Sequence, residues 1–146
     1  MDNNKCSYEL AMLIREVYLL SMSSMDKDLS EYGITPQQLI MIKLIAHNKG
    51  MQHSELCEAM NLSKGTVSGI IKRLTERGLV EKQPIESDKR NSIIVFTHKG
   101  KDFAYSIRHE MNDTFENIFK TSSEDDIRRY RDTLREMLNK ISGENK

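Results

Sequence analysis

The chain has 146 residues, 38% hydrophobic and 30% charged, with a mean hydropathy of -0.58; this suits one compact domain or two small intergrown ones and excludes a multidomain enzyme. No apolar run approaches the roughly 18 residues of a spanning helix, the start Met1-Asp2-Asn3-Asn4-Lys5 lacks a secretory pattern, and Cys6 and Cys57 are too few for a disulfide framework, so a cytoplasmic chain with no membrane segment is expected. A net charge of zero conceals a basic middle: between Lys43 and Lys101 eleven Lys or Arg stand against six Asp or Glu, and the remainder is acidic by the same margin.

Between residues 8 and 29 apolar side chains recur every three or four positions, at Leu10, Ala11, Ile14, Val17, Tyr18, Met22, Met25 and Leu29, which predicts one long amphipathic helix closed by Gly33. Thr35-Pro36-Gln37-Gln38 predicts the next start, because Thr35 can cap, Pro36 suits the first helical position and Gln38 can return the capping bond. That helix runs to about His47 and stops near Gly50. A short helix over 53–60 ends at Asn61, a residue that tolerates the left-handed conformation. Ser63 caps another, with Val67, Ile70, Ile71 and Leu74 inward, Lys72, Arg73 and Arg77 toward the end that favours cations, and Gly78 as its stop. The period then changes: a strand-like stretch over 79–83, a polar turn over 86–91 and a β-rich run over 92–96 read as a hairpin. Thr97 caps a long helix with Phe103, Ala104, Ile107, Met111, Phe115 and Ile118 on one side. Ser122 or Ser123 caps the last, with Ile127, Tyr130, Leu134, Met137, Leu138 and Ile141 inward. The expected fold is mainly α with a small β-hairpin wing.

A short helix, a three-residue turn, a second helix with small and basic residues outside, and then a hairpin is the layout of a winged helix-turn-helix, although a plain α-hairpin shares its first half. In the winged layout the second helix enters the major groove of double-stranded DNA. Its outer face holds Lys64, Gly65, Thr66, Ser68, Gly69, Lys72 and Arg73, small where bases come closest and cationic where phosphates lie. The Ser63 cap leaves amide N–H groups at that end able to donate to phosphate. Asp88-Lys89-Arg90 is expected at the hairpin tip, with Arg90 suited to a narrow minor groove and Asp88 placed to orient it through a bidentate pair. Gly65 and Gly69 each lower helix stability by roughly 1 kcal/mol relative to Ala. Close approach to DNA explains them, and so does tight packing against residues 52–60.

The run Ser63-Lys64-Gly65-Thr66-Val67-Ser68-Gly69-Ile70-Ile71-Lys72-Arg73-Leu74-Thr75-Glu76-Arg77-Gly78-Leu79-Val80-Glu81-Lys82 closely resembles the recognition helix and first wing strand of the MarR family, the multiple-antibiotic-resistance regulators. The likeness continues through Asp88-Lys89-Arg90 and Phe96-Thr97-His98-Lys99-Gly100, and backward through Gln52-His53-Ser54-Glu55-Leu56-Cys57-Glu58-Ala59-Met60. It implies a non-enzymatic transcriptional regulator without a cofactor, a ligand-responsive repressor acting as a homodimer on a pseudopalindromic operator. Residues 1–34 and 98–146 would form the helical dimerisation region, with 35–97 as the winged helix-turn-helix. Half-sites would then lie about 10 base pairs apart or a small multiple of that. Gly69 stands where many members carry Arg, and Lys72 where an acidic residue is common, so the family's usual guanine contact is lost.

The resemblance also implies a small anionic or phenolic effector near the junction of the two regions. Arg15 suits the anion because its helical neighbours Ala11, Tyr18, Leu19 and Met22 are apolar, although an inter-subunit salt bridge or a snorkelling side chain fits the same pattern. Met22, Met41 and His47 complete the candidate effector set, with core packing the plainer role for the methionines. His53 and Cys57, four apart on one helical face, keep a thiol- or metal-sensing regulator of the same fold open as an alternative, but two ligands define no metal site. No nucleophile with a base and an orienting third group, and no Gly-rich phosphate loop, points to an enzyme. A winged-helix protein-interaction adaptor is the remaining alternative, against which Lys64, Lys72, Arg73, Lys89 and Arg90 on the DNA side argue.

Overall fold

A computed structural model describes residues 3–143, without the side chains of residues 3–5 and 89. The elements are α1 (Asn3–Tyr32), α2 (Pro36–Asn48), β1 (Met51–Gln52), α3 (His53–Met60), α4 (Lys64–Glu76), β2 (Val80–Ile85), β3 (Asp88–Phe96), α5 (His98–Ile118) and α6 (Glu124–Ser142). No helix among the described residues is long and apolar enough to cross a membrane. The chain divides into two compact units, Met1–Met111 and Asn112–Lys146.

Local chemistry sets the helix ends as the sequence predicts. Gln38 N donates to Thr35 Oγ1 at 3.2 Å while Thr35 N donates to Gln38 Oε1 at 2.9 Å, a reciprocal cap ahead of Pro36. Asn61 ends α3 at φ 51°, and Ser63 Oγ opens α4 by accepting from Thr66 N at 3.2 Å. Thr97 Oγ1 accepts from Gly100 N at 2.9 Å at the head of α5 and donates to Gly78 O at 2.6 Å. Gly100 is there for space: a Cβ on it would collide with the carbonyl of Leu79.

The core of the first unit gathers Ile42 and Ile45 of α2, Leu56 of α3, the Val67, Ile70, Ile71 and Leu74 stripe of α4, and Ile94 of β3. Leu29 near the end of α1 and Ile107 of α5 are buried in the same core. The flanking helices α1 and α5 thus each bury a residue in the core that the winged module forms. The strands form one antiparallel sheet in the order β1-β3-β2, with Met51 opposite Ile94 and Val80 opposite Phe96. Strand β1 goes beyond the expected hairpin; at two residues it has no readable period, and the positive φ of Lys49 and Gly50 turns it alongside β3.

Two further differences have local causes. Helix α1 begins at Asn3 rather than residue 8, since nothing in the intervening stretch breaks a helix. In the wing, Ile85 pairs with Asp88, so the chain reverses at Glu86 and Ser87, and Asp88 and Arg90 open β3 instead of forming the tip.

In the second unit, Ser123 is the cap of α6, accepting from Asp126 N at 3.1 Å while Ser123 N donates to Asp126 Oδ2 at 3.2 Å. Phe119 lies between Phe115, 6.4 Å away, and Tyr130, 6.2 Å away. The apolar face of α6 is open: Ile127, Tyr130, Leu134, Leu138 and Ile141 are all exposed.

Candidate nucleic-acid interface

Helix α4 turns its four branched residues into the core and leaves the opposite face outside. Lys64, Gly65, Thr66, Ser68, Gly69, Lys72 and Arg73 are all exposed on that face, as is the Ser63 cap. An ideal Cβ at Gly65 or Gly69 meets nothing within 4 Å, so packing against α3 does not account for either glycine. Lys72 Nζ lies 3.9 Å from Glu76 Oε1, a solvent-exposed pair that holds the amine only weakly. Ser68 is tied back to α3, its Oγ 2.8 Å from His53 Nε2, while His53 Nδ1 lies 3.6 Å from Cys57 Sγ. The two candidates for thiol or metal chemistry thus join a chain that ends on the outer face of α4. Among the described residues no group of three or more His, Cys, Asp or Glu could hold a metal ion.

In the wing, Asp88 Oδ1 accepts from the backbone N–H of Arg90 at 3.0 Å, and Oδ2 accepts from Asn91 Nδ2 at 2.7 Å. The expected bidentate pair with the Arg90 guanidinium is therefore not formed. Both carboxylate oxygens are used locally because the tight reversal turns amide donors toward them. Arg90 is exposed, and the Lys89 side chain lies outside the described residues.

The MarR family model matches residues 32–91, from the last residue of α1 into β3. Over that stretch the chain is similar to the MarR family. A relative, the HTH-type transcriptional regulator SarZ of Staphylococcus epidermidis, is 30% identical over 91 residues, 62% of this chain and 59% of that protein, so the match spans less than two thirds of SarZ. The structure of a MarR family protein from Bacillus stearothermophilus superposes with a TM-score of 0.86 at 20% identity, covering 97% of this chain and 99% of that one. A mutant MarR from E. coli complexed with operator DNA gives a TM-score of 0.75 at 22% identity, over 94% and 99% of the two chains. The structural likenesses establish the winged helix-turn-helix fold.

Beneath the interface lies a contact the sequence assigned elsewhere. Arg77, read as a helix-end cation, donates from Nη1 to Gly33 O and from Nη2 to Tyr32 O, both at 2.8 Å, and its guanidinium stands 5.0 Å from the Phe103 ring centre. Tyr32 meets the same ring edge-on at 5.6 Å, and Lys99 Nζ donates to Arg77 O at 2.8 Å. The ends of α1 and α4 and the first turns of α5 are thereby clamped together. The only signal in the sequence was a cation close to a helix C-terminus.

The effector candidates separate. A groove of about 690 Å³ opens between the end of α1, α2 and α5, with Met25, Leu39, Ile42, Ile107 and Met111 in its wall and Lys43, His47 and Arg108 beside them. His47 stands at the wall of this groove. Met41 is fully buried in the core instead, because it shares the inward stripe of Gln38, Ile42 and Ile45. Arg15 is exposed, and neither it nor Met22 lines this groove.

Proposed function

We propose that the protein is a sequence-specific double-stranded DNA-binding transcriptional regulator, working in the cytoplasm as a homodimer on a pseudopalindromic operator and acting as a ligand-responsive repressor. The observation that carries the reading is the outer face of α4, where two glycines that no packing requires stand among hydroxyls and cations. Gly65, Thr66, Ser68 and Gly69 allow the helix close to base edges, Lys64, Lys72 and Arg73 lie where phosphates pass, and Ser63 opens the helix N-terminus. At the wing, Asp88 shapes the turn that presents Arg90, with Lys89 next to it in sequence, toward the minor groove. The complex of an E. coli MarR mutant with operator DNA, on the same fold, supports DNA as the partner.

The homodimer is supported by apolar surface left uncovered on each terminal helix. Leu13 of α1 is 50% exposed and Val17 54%, and Leu138 of α6 is 64% exposed, values out of place on a solvated helix. An effector with an apolar body and one negative charge suits the groove beside Met25 and Met111, where Lys43, His47 and Arg108 replace Arg15 as the anion's partners.

The test is binding of the purified chain to its own promoter fragment over a salt series, with light scattering alongside. A dimer with specific binding that weakens steeply with salt is expected. A monomer, or a dimer that leaves DNA untouched even at low salt, would overturn the proposal and favour the protein-interaction adaptor.

A further inference from the structure

A second groove, of about 550 Å³, lies between the last turn of α2, the sheet and α5. Ile45, Val95, Phe96 and Ala104 give it an apolar floor, and Gln83 and the exposed Tyr105 supply an amide and a hydroxyl at its edge. Three cations converge on it: Lys49, which ends α2 in the left-handed conformation, and Lys101 and Arg108, seven residues apart on one face of α5. None of the three has an ion pair with any described residue, whereas Lys27, Lys72 and Lys140 each pair with a glutamate four residues away. The reason is legible in the chain, since no acidic residue stands three or four positions from Lys49, Lys101 or Arg108. Glu81, on the neighbouring strand, accepts from Gln83 Nε2 at 3.0 Å and does not line the groove.

Like charges held together over an apolar floor without an ion-paired carboxylate raise the local potential and favour an anion that brings its own hydrophobic body. Three fixed positive charges are matched better by two negative charges than by one. We infer that this groove is a second small-molecule site, adjoining the one beside Met25, for a compact organic dianion: a dicarboxylate or a phosphate monoester on an aromatic or branched body. The two grooves share Ala46, Ala104 and Arg108, so Arg108 is common to both, while Lys49 and Lys101 belong to the second alone and Lys43 to the first.

The test is calorimetric titration of the full chain, without DNA, with phthalate, phenyl phosphate, benzoate and inorganic phosphate; its outcome does not depend on the regulatory reading. Saturable binding of phthalate or phenyl phosphate is expected, tighter than that of inorganic phosphate, which has no apolar body. The tighter of the two identifies the anionic group. The double variant Lys49→Gln/Lys101→Gln should weaken that binding by about tenfold, from two partly solvated ion pairs, while Lys43→Gln leaves it within about twofold. Absence of saturable binding by either dianion, an unchanged constant in the double variant, or an equal loss in Lys43→Gln would each overturn the inference. Circular dichroism of the variants separates lost binding from lost fold.

Discussion

Replacing Arg77 with Ala should destabilise the first unit more than an ordinary surface substitution. The last carbonyls of a helix have no partner within it, and Tyr32 O at the end of α1 receives its partner from the same guanidinium that binds Gly33 O in the following turn. A hydrogen bond to a charged group contributes about 1.5–3 kcal/mol. The low end applies to each of these, because Arg77 is half-buried and both carbonyls can turn to water once it is gone. The contact with the Phe103 ring adds about 0.5–1 kcal/mol. After allowing for that water, the net loss should be about 2–3 kcal/mol, a fall in melting temperature of about 5–10 °C for a chain of this length. Urea unfolding at one fixed protomer concentration measures it, since association would otherwise shift the midpoint. Arg77→Met keeps the stem against Phe103 and should recover less than half of the loss, and Arg77→Lys should fall between Met and the wild type because it donates from one nitrogen only. A change within about 0.5 kcal/mol for Arg77→Ala, the range of a neutral surface site, would refute the clamp.

Gly69→Ala should raise thermal stability by up to about 1 kcal/mol, since the Cβ meets open space, yet weaken operator binding in anisotropy titrations; unchanged binding would argue against close approach there. Lys72→Ala should weaken all DNA sequences alike and reduce the salt slope by about 1. Arg90→Ala should weaken binding most on operators with narrow A·T flanks, so equal losses on every flank would exclude insertion of the wing. At Asp126, hydrogen bonds from the Ser123 hydroxyl, then from its backbone N–H, hold the carboxyl below its ordinary value of 3.8. A carboxyl depressed in the folded state stabilises above its unfolded pKa, and the benefit disappears as pH falls through the folded value. Amide exchange in the first turn of α6 should therefore accelerate in strong acid, and Ser123→Ala should abolish most of that pH dependence.

Much of this architecture is decided within a few residues of chain. The Thr35-Gln38 cap, the left-handed Asn61, the Ser63 and Thr97 caps and the apolar stripe of α4 follow from side chains acting on neighbouring backbone, so they could be read in order along the sequence. The outer face of α4 was legible for the same reason, being what remains once the inward stripe is fixed. Met41 and His47 mark the limit of such reading. On α2, residues 38, 41, 42 and 45 face the core and residues 39, 43, 46 and 47 turn toward the groove, and assigning the stripes requires the neighbours.

The sequence by itself determined the helices, their caps, the basic middle and the family resemblance, because these depend on local periodicity, local hydrogen bonding and residue order. Only the tertiary structure decided the partners of groups distant in sequence. It placed Arg77 on carbonyls 44 and 45 residues away, and it brought two residues alongside Ile94 to make a third strand. It also emptied the space around Gly65 and Gly69, and gathered Lys49, Lys101 and Arg108 at one groove. Each of these depends on how elements approach one another across the fold, which no period of 2 or 3.6 residues encodes.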